Sequence, residues 1–283
     1  MPADSRGAGT RPPAVAGLFY PRDPARLQTE VLELLGRGAP PSKVMPKALI
    51  APHAGYVYSG RVAGAAFAKL RASAQTITRV VLIGPAHYVH LSGIAVPSVD
   101  AFETPLGRVP VDTEACSQIG GFEFVTETDA PHEPEHALEV ELPFLQSVLP
   151  SFQLVPLVVG DAAPQQVAQL LRQLWDGPET LIVVSSDLSH YHSYETAQRL
   201  DLSTAEAIEQ GEWTSLSSSR ACGWLAVAGL LIETRRRGLG GYRLALCNSG
   251  DTAGSRDRTS DMEHGCSVRR LSGREPKTTG QAR

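Results

Sequence analysis

The stretch Leu49-Ile50-Ala51-Pro52-His53-Ala54-Gly55-Tyr56 decides the fold. It begins as an apolar run of strand type, stops at Pro52, and hands a histidine to a glycine turn. The chain uses the same device twice more. Val80-Val81-Leu82-Ile83 runs through Gly84-Pro85 to His87, and Leu181-Ile182-Val183-Val184 runs through Ser185-Ser186 to Asp187 and His190. Continuous apolar runs of this length read as strands buried on both faces, the pattern of a parallel sheet. Ligands of open α/β sheets bind beyond the carboxyl ends of the strands. Three such ends bearing His or Asp and His predict one shared pocket.

Working outward, the other segments fit between these strands. Helical spacing covers Pro24 to Gly36, Gly60 to Leu70, Asp112 to Ile119, Glu139 to Leu149, Pro164 to Trp175, Tyr194 to Gln210 and Ala221 to Arg237. Lys47 to Ala51, Arg79 to Ile83, Gly93 to Pro97, Leu154 to Val159, Leu181 to Val184, Tyr242 to Cys247 and Cys266 to Leu271 read as strands. Ala101 to Val109 reads as a loop or hairpin, and His132 to Glu135 as a polar loop with His132 and Glu133 in solvent. Arg235-Arg236-Arg237 suits the C-terminus of its helix, where the dipole favours cations. Alternating strands and helices make the class α/β, with a central largely parallel or mixed sheet and helices on both faces. The expected organisation is a single domain over 14–272, with disordered tails at 1–13 and 273–283, both rich in small and polar residues.

The chain has 283 residues, 42% of them hydrophobic, enough for one large core. A net charge of -4 without a basic stripe argues against nucleic acid as a partner. No apolar run reaches the length of a membrane span, and the first residues lack a signal-peptide pattern. Cys116, Cys222, Cys247 and Cys266 form no close pair, so reduced thiols and a cytoplasmic location are expected.

Each candidate residue has a functional and a bland reading. Neutral imidazoles at His53 and His87 are good transition-metal ligands, or else two hydrogen-bonded core histidines; their equivalent strand ends favour ligation. Asp187 and His190 can both point into the pocket for ligation or proton transfer, whereas Asp187 alone could be a helix cap. His136 and Glu139 share a helix face, as ligands, as a carboxylate behind a histidine, or as an exposed pair; they are placed behind the site. Cys222 opens a helix, where a thiol pKa falls and ligation improves, or it is a small core residue.

The ordered series of motifs resembles a known family. It comprises Ala14-Val15-Ala16-Gly17 to Phe19-Tyr20-Pro21, Pro52-His53-Ala54-Gly55-Tyr56, Gly84-Pro85-Ala86-His87, Thr104-Pro105-Leu106-Gly107, and Glu135-His136 through Glu139 to Leu142-Pro143-Phe144. Ser185-Ser186-Asp187-Leu188-Ser189-His190-Tyr191, Ala221-Cys222-Gly223 and Asn248-Ser249-Gly250-Asp251-Thr252 complete it. The chain resembles the Memo family, also called AmmeMemoRadiSam system protein B, from about Ala14 to Leu271. The resemblance implies a fold similar to class III extradiol ring-cleaving dioxygenases. It implies His53, His87 and Cys222 as metal ligands, with Asp187 and His190 lining the same pocket; these two are expected to be catalytic, and Tyr56, His136 and Glu139 are expected in the pocket or just behind it. Fe(II) is the expected metal, with copper the alternative, and redox chemistry on a small molecule the expected activity. A peptide- or protein-binding module and a metal-dependent hydrolase with His190 as base are the rival readings. Radical-SAM and AMMECR-type proteins are the implied partners. Two departures stand out: Trp224-Leu225-Ala226-Val227 where the family has a proline after Cys-Gly, and His264-Gly265-Cys266-Ser267 in place of an apolar strand. His264 and Cys266 form either a second soft-ligand patch or an incidental pair.

Overall fold

The computed structural model describes residues 9–36 and 45–252, together with the backbone of 266–273. The central strands are β2 (Ala48–Ala51), β3 (Arg79–Pro85), β8 (Gln153–Val159) and β9 (Thr180–Ser185). They lie side by side in the order β2-β9-β3-β8, all parallel. Leu49, Val80 to Ile83, Leu154, Val155 and Ile182 to Val184 are fully buried, as strands covered on both faces require.

Antiparallel neighbours extend both edges. β4 (Ile94–Val96) joins β8 and then β7 (Val125–Glu127); β11 (Cys266–Gly273) joins β2 and then β10 (Leu239–Cys247). The result is an eight-stranded mixed sheet. Helices flank it: α1 (Pro24–Gly36), α2 (Tyr56–Phe67) and α5 (Leu142–Val148) pack together, and α6 (Pro164–Gln173) packs on α8 (Trp224–Arg236). α3 (Thr113–Ile119), α4 (His136–Glu139) and α7 (Tyr194–Gln210) complete the helices of the described residues. The expected hairpin is β5 (Ala101–Thr104) with β6 (Gly107–Pro110), in a small sheet with β1 (Thr10–Arg11). The single α/β domain with a mixed sheet is as expected. Among the described residues no helix is long and apolar enough to cross a membrane.

Several boundaries differ, each for a local reason. Residues 9–13 are not tail: Thr10 pairs with Ala101, and Arg11 is 2% exposed. Residues 1–8 and 274–283 lie outside the described residues, as do His264 and the side chain of Cys266. The helix expected from Gly60 starts earlier, at Tyr56, and tightens to a 3-10 turn over Ala68–Ser73. The helix expected over 139–149 is two helices, because Pro143 cannot donate to the Glu139 carbonyl and its ring crowds that group. α8 begins at Trp224, leaving Ala221-Cys222-Gly223 in the turn before it. The arginine cluster does more than meet the helix dipole: Arg236 and Arg237, with Arg172, close on the buried Glu233 carboxylate.

Candidate metal centre

The parallel order explains the convergence. β2, β9 and β3 are neighbours, so the residues following their carboxyl ends share one edge of the sheet. Pro52 stops β2 and the next residue, His53, is 1% exposed. Its backbone N–H donates to Asp187 Oδ1 at 2.8 Å, and its Nδ1 meets Ser185 Oγ at 2.8 Å. The link ties the turn after β2 to the turn after β9.

His87 follows β3 and is gripped by Glu135. Its N–H donates to Oε2 at 2.7 Å and its Nδ1 meets Oε1 at 2.8 Å. Glu135 also caps α4 through Ala137 N–H, which places His136 at the helix start beside His87. The rings of His87 and His136 stack with centres 4.7 Å apart, and His53 meets both edge-on at 5.1 and 5.4 Å. One donor nitrogen from each of the three lies within 4.8 Å of the others.

Electrostatics suit ligation. Burial pushes the His53 pKa down to about 3 and that of His136 to about 4, so both rings stay neutral at ordinary pH with a lone pair to give. Burial alone would raise the Glu135 carboxyl, but hydrogen bonds from His87, with the charge interaction between them, bring it down to about 2. The ionised carboxylate fixes the His87 ring orientation, the usual support of a metal-bound histidine.

The family model described as Memo-like protein matches residues 11–261. The chain belongs to the Memo family. It is 35% identical over 255 residues to a MEMO1 family protein of Aquifex aeolicus, covering 86% of this chain and 94% of the relative. A MEMO1 family protein of Thermotoga neapolitana is also 35% identical, over 266 residues, covering 86% and 94%. One from Caldivirga maquilingensis is 32% identical over 266 residues, covering 87% and 94%.

Within this Memo chain, Cys222 stands at the edge of the imidazole cluster. Its Sγ lies 3.2 Å from His53 Nε2 and accepts from Asp187 N–H at 3.3 Å. Gly223 makes the approach feasible: a Cβ there would come within 2.7 Å of Ser185 O, and its N–H donates to Ser186 Oγ. The thiol does not have the lowered pKa expected of a helix N-terminus. It lies in the turn before α8, and burial, with the charge of Asp187, pushes it up.

His136 was expected behind the site, yet its ring belongs to the cluster itself. Glu139 faces away. Its carboxylate takes Arg11, the Tyr20 hydroxyl, and the N–H groups of Ala14 and Val15. That clasp fastens the arm which brings Leu18 and Phe19 to the cavity, Phe19 lying 4.8 Å from the His136 ring. Tyr56, expected in the pocket or just behind it, donates to Val140 O at 2.7 Å and packs against Phe144, outside the cavity lining. His132 is not in solvent: it is 1% exposed, and burial lowers its pKa to about 4.

Asp187 and His190 both line the cavity above the cluster, a space of about 880 Å³. That volume is typical of a small-molecule site. Leu18, Val57, Tyr88 and Tyr191 line it too, each more than half exposed. Sequence reasoning passed over Glu135, Ser185 and Glu141. The available signal for Glu135 was its place directly before His136 in a family motif.

Proposed function

We propose that this Memo protein holds one redox-active transition metal on His53, His87 and His136, with Cys222 as a fourth donor. The observation that carries the reading is the approach of three imidazole donors within 4.8 Å at the carboxyl edge of the parallel strands. The donor set fits the group. Burial keeps the His53 and His136 rings neutral, and His53 and His87 are each held at Nδ1 by an oxygen partner. Imidazoles and a sulfur suit iron or copper, with Fe(II) first and copper the alternative. A bound ion of either kind supplies Lewis acidity and a one-electron couple.

The remaining residues take roles the metal does not. Asp187 orients the His53 backbone, and His190 stands in the cavity wall as the group able to accept or return a proton of a bound small molecule. The exposed apolar rim also supports the rival reading of a peptide- or protein-binding pocket. A reducing cytoplasm, which keeps Cys222 a thiol, and radical-SAM and AMMECR-type partners complete the proposal; they rest on family resemblance.

The test is metal analysis of anaerobically purified protein, with an absorption spectrum before and after air. About one metal per chain is expected, with occupancy falling sharply in His53→Ala, His87→Ala and His136→Ala while far-UV circular dichroism holds. Undiminished metal in all three variants would overturn the site. Retention in His136→Ala with loss in Cys222→Ala would replace the third imidazole by the thiolate.

A further inference from the structure

We propose that Glu141 is a positioning residue: held as the neutral acid, it donates to Ser185 Oγ and so steadies the hydroxyl whose own hydrogen goes to Ala137 O and which accepts from His53 as the Nδ1–H tautomer, its Nε2 lone pair turned to the cavity. The consequence for a metal rests on the reading above; the assignment of protons does not.

The argument is a count of hydrogens at one oxygen. Ser185 closes β9, and its Oγ has three polar neighbours: Ala137 O at 2.6 Å, His53 Nδ1 at 2.8 Å and Glu141 Oε1 at 3.1 Å. A hydroxyl owns one hydrogen and two lone pairs. A carbonyl oxygen only accepts, and Ala137 O is the nearest neighbour, so the hydrogen goes there. The two remaining neighbours must then bring hydrogens of their own. For His53 that means Nδ1–H. For Glu141 it means a protonated carboxyl, because a carboxylate oxygen would face a hydroxyl lone pair with no hydrogen between them.

The surroundings of Glu141 agree. The residue is fully buried, and among the described residues its other oxygen has no hydrogen-bond partner. An ionised carboxylate so placed would be very costly. Burial drives its pKa well above the carboxylate range, outweighing the Ser185 hydrogen bond that favours the ionised form, and the charge of Asp187 adds to the rise. The far side of the imidazole is consistent too. With Nδ1 protonated, Nε2 is an acceptor, and the atom set against it is Cys222 Sγ at 3.2 Å. The broken helix makes the placement possible, since Glu141 sits in the turn between α4 and α5 rather than continuing one helix face.

Two substitutions separate donation from mere bulk. Glu141→Gln keeps a donor, its amide N–H₂, in nearly the same volume, and Glu141→Leu removes it. The first readout uses metal-free protein: nitrogen chemical shifts of His53 by NMR, and an infrared difference spectrum at neutral pH. Wild type and Glu141→Gln should both show Nδ1–H at His53, and the protonated-carboxyl band of wild type should vanish in Glu141→Gln. In Glu141→Leu the Nδ1–H tautomer should persist, because Ala137 O still takes the Ser185 hydrogen, and the carboxyl band should vanish. The second readout is affinity for Fe(II) alone. It should stay within about threefold in Glu141→Gln and fall about tenfold in Glu141→Leu, the lower end for loss of a group behind a ligand. A wild-type His53 carrying its proton on Nε2, or an infrared spectrum unchanged by Glu141→Gln, overturns the proposal. If Nδ1–H and the carboxyl band are found but no variant binds metal, the metal reading fails and the Glu141 assignment stands.

Discussion

His87 and His53 end neighbouring strands with ring centres 5.1 Å apart, but the groups behind them differ in charge. His87 is backed by the ionised Glu135 carboxylate, which comes from the loop before α4. His53 is backed by the Ser185 hydroxyl at the end of β9, with Glu141 behind it. One half of the site is thus built on a loop and carries charge. The other is built on the sheet: neutral dipoles stand behind its ring, and Asp187 holds the His53 backbone N–H. A carboxylate makes the imidazole in front of it a stronger donor, and a hydroxyl does so less. The loop half should set how tightly a metal is held, and the sheet half how rigidly it is aimed.

The largest expected effect tests what holds the loop half in place. Arg11 reaches from β1 to the Glu139 carboxylate and to the carbonyls of His132 and Glu135, with both side chains almost wholly buried. Glu139→Leu leaves the Arg11 cation buried without its counter-charge, a loss of about 3–5 kcal/mol for a pair of this kind. Urea unfolding should show it. A loss under about 1 kcal/mol would mean that the arm is only draped on the loop, and the contrast between halves would weaken.

The next effect is on pH dependence, through His132 in the same loop. Its folded pKa is lowered to about 4 from 6.5, chiefly by burial. A depressed histidine contributes stability that is full above the unfolded value, because the unfolded chain then gains no proton that the folded chain refuses. The contribution is lost as pH falls from about 6.5 toward 4, for a total of about 3 kcal/mol. His132→Leu should therefore flatten the stability profile between pH 6.5 and 4 while leaving metal affinity at pH 7.5 unchanged. An unaltered acid limb would mean that His132 protonates in the folded protein.

Glu135→Gln and Ser185→Ala compare the halves directly. Removing the carboxylate behind a ligand lowers metal affinity about 10–100-fold. Ser185→Ala should cost less than Glu135→Gln, because it removes a neutral partner. Competition with a chelator measures both. The reverse order would show that the sheet half, not the loop half, carries the affinity.

The two halves were also unequally legible in the sequence. His53, His87, Asp187 and His190 follow apolar runs that end at Pro52, Gly84-Pro85 and Ser185-Ser186, so local pattern placed them at one edge. Cys222 came from resemblance to the family, with only a weak local cue. The loop half depends on partners far apart along the chain: Glu135 lies 48 positions from His87, and Arg11 lies 128 from Glu139. No local pattern encodes such pairs. The three-residue spacing of His136 and Glu139 suggested a shared face, but α4 is a single turn stopped before Pro143. There the first residue joins the imidazoles and the last turns to Arg11. Gly, Pro and Ala around Arg11 read as tail because its binding partners could not be seen.

The smallest expected effect concerns the rim, where the halves also differ. The loop half contributes Tyr88, whose hydroxyl lies 3.1 Å from His136 Nδ1. The sheet half contributes Tyr191, just past His190, with φ of 60°. That left-handed conformation costs a tyrosine about 1–2 kcal/mol, and glycine adopts it freely. The Tyr191 side chain is 73% exposed, so little packing repays the strain within the free protein. Glycine also has more freedom to lose on folding, which offsets part of the relief, leaving a net gain of under about 1 kcal/mol. Tyr191→Gly should thus melt slightly higher than the parent protein. If the ring is held at the mouth to cover a bound molecule, binding of an apolar probe such as a naphthalene dye in the cavity should weaken about threefold or more. Higher stability with unchanged dye binding would assign the strained backbone to the turn after His190 alone and leave Tyr88 as the aromatic wall.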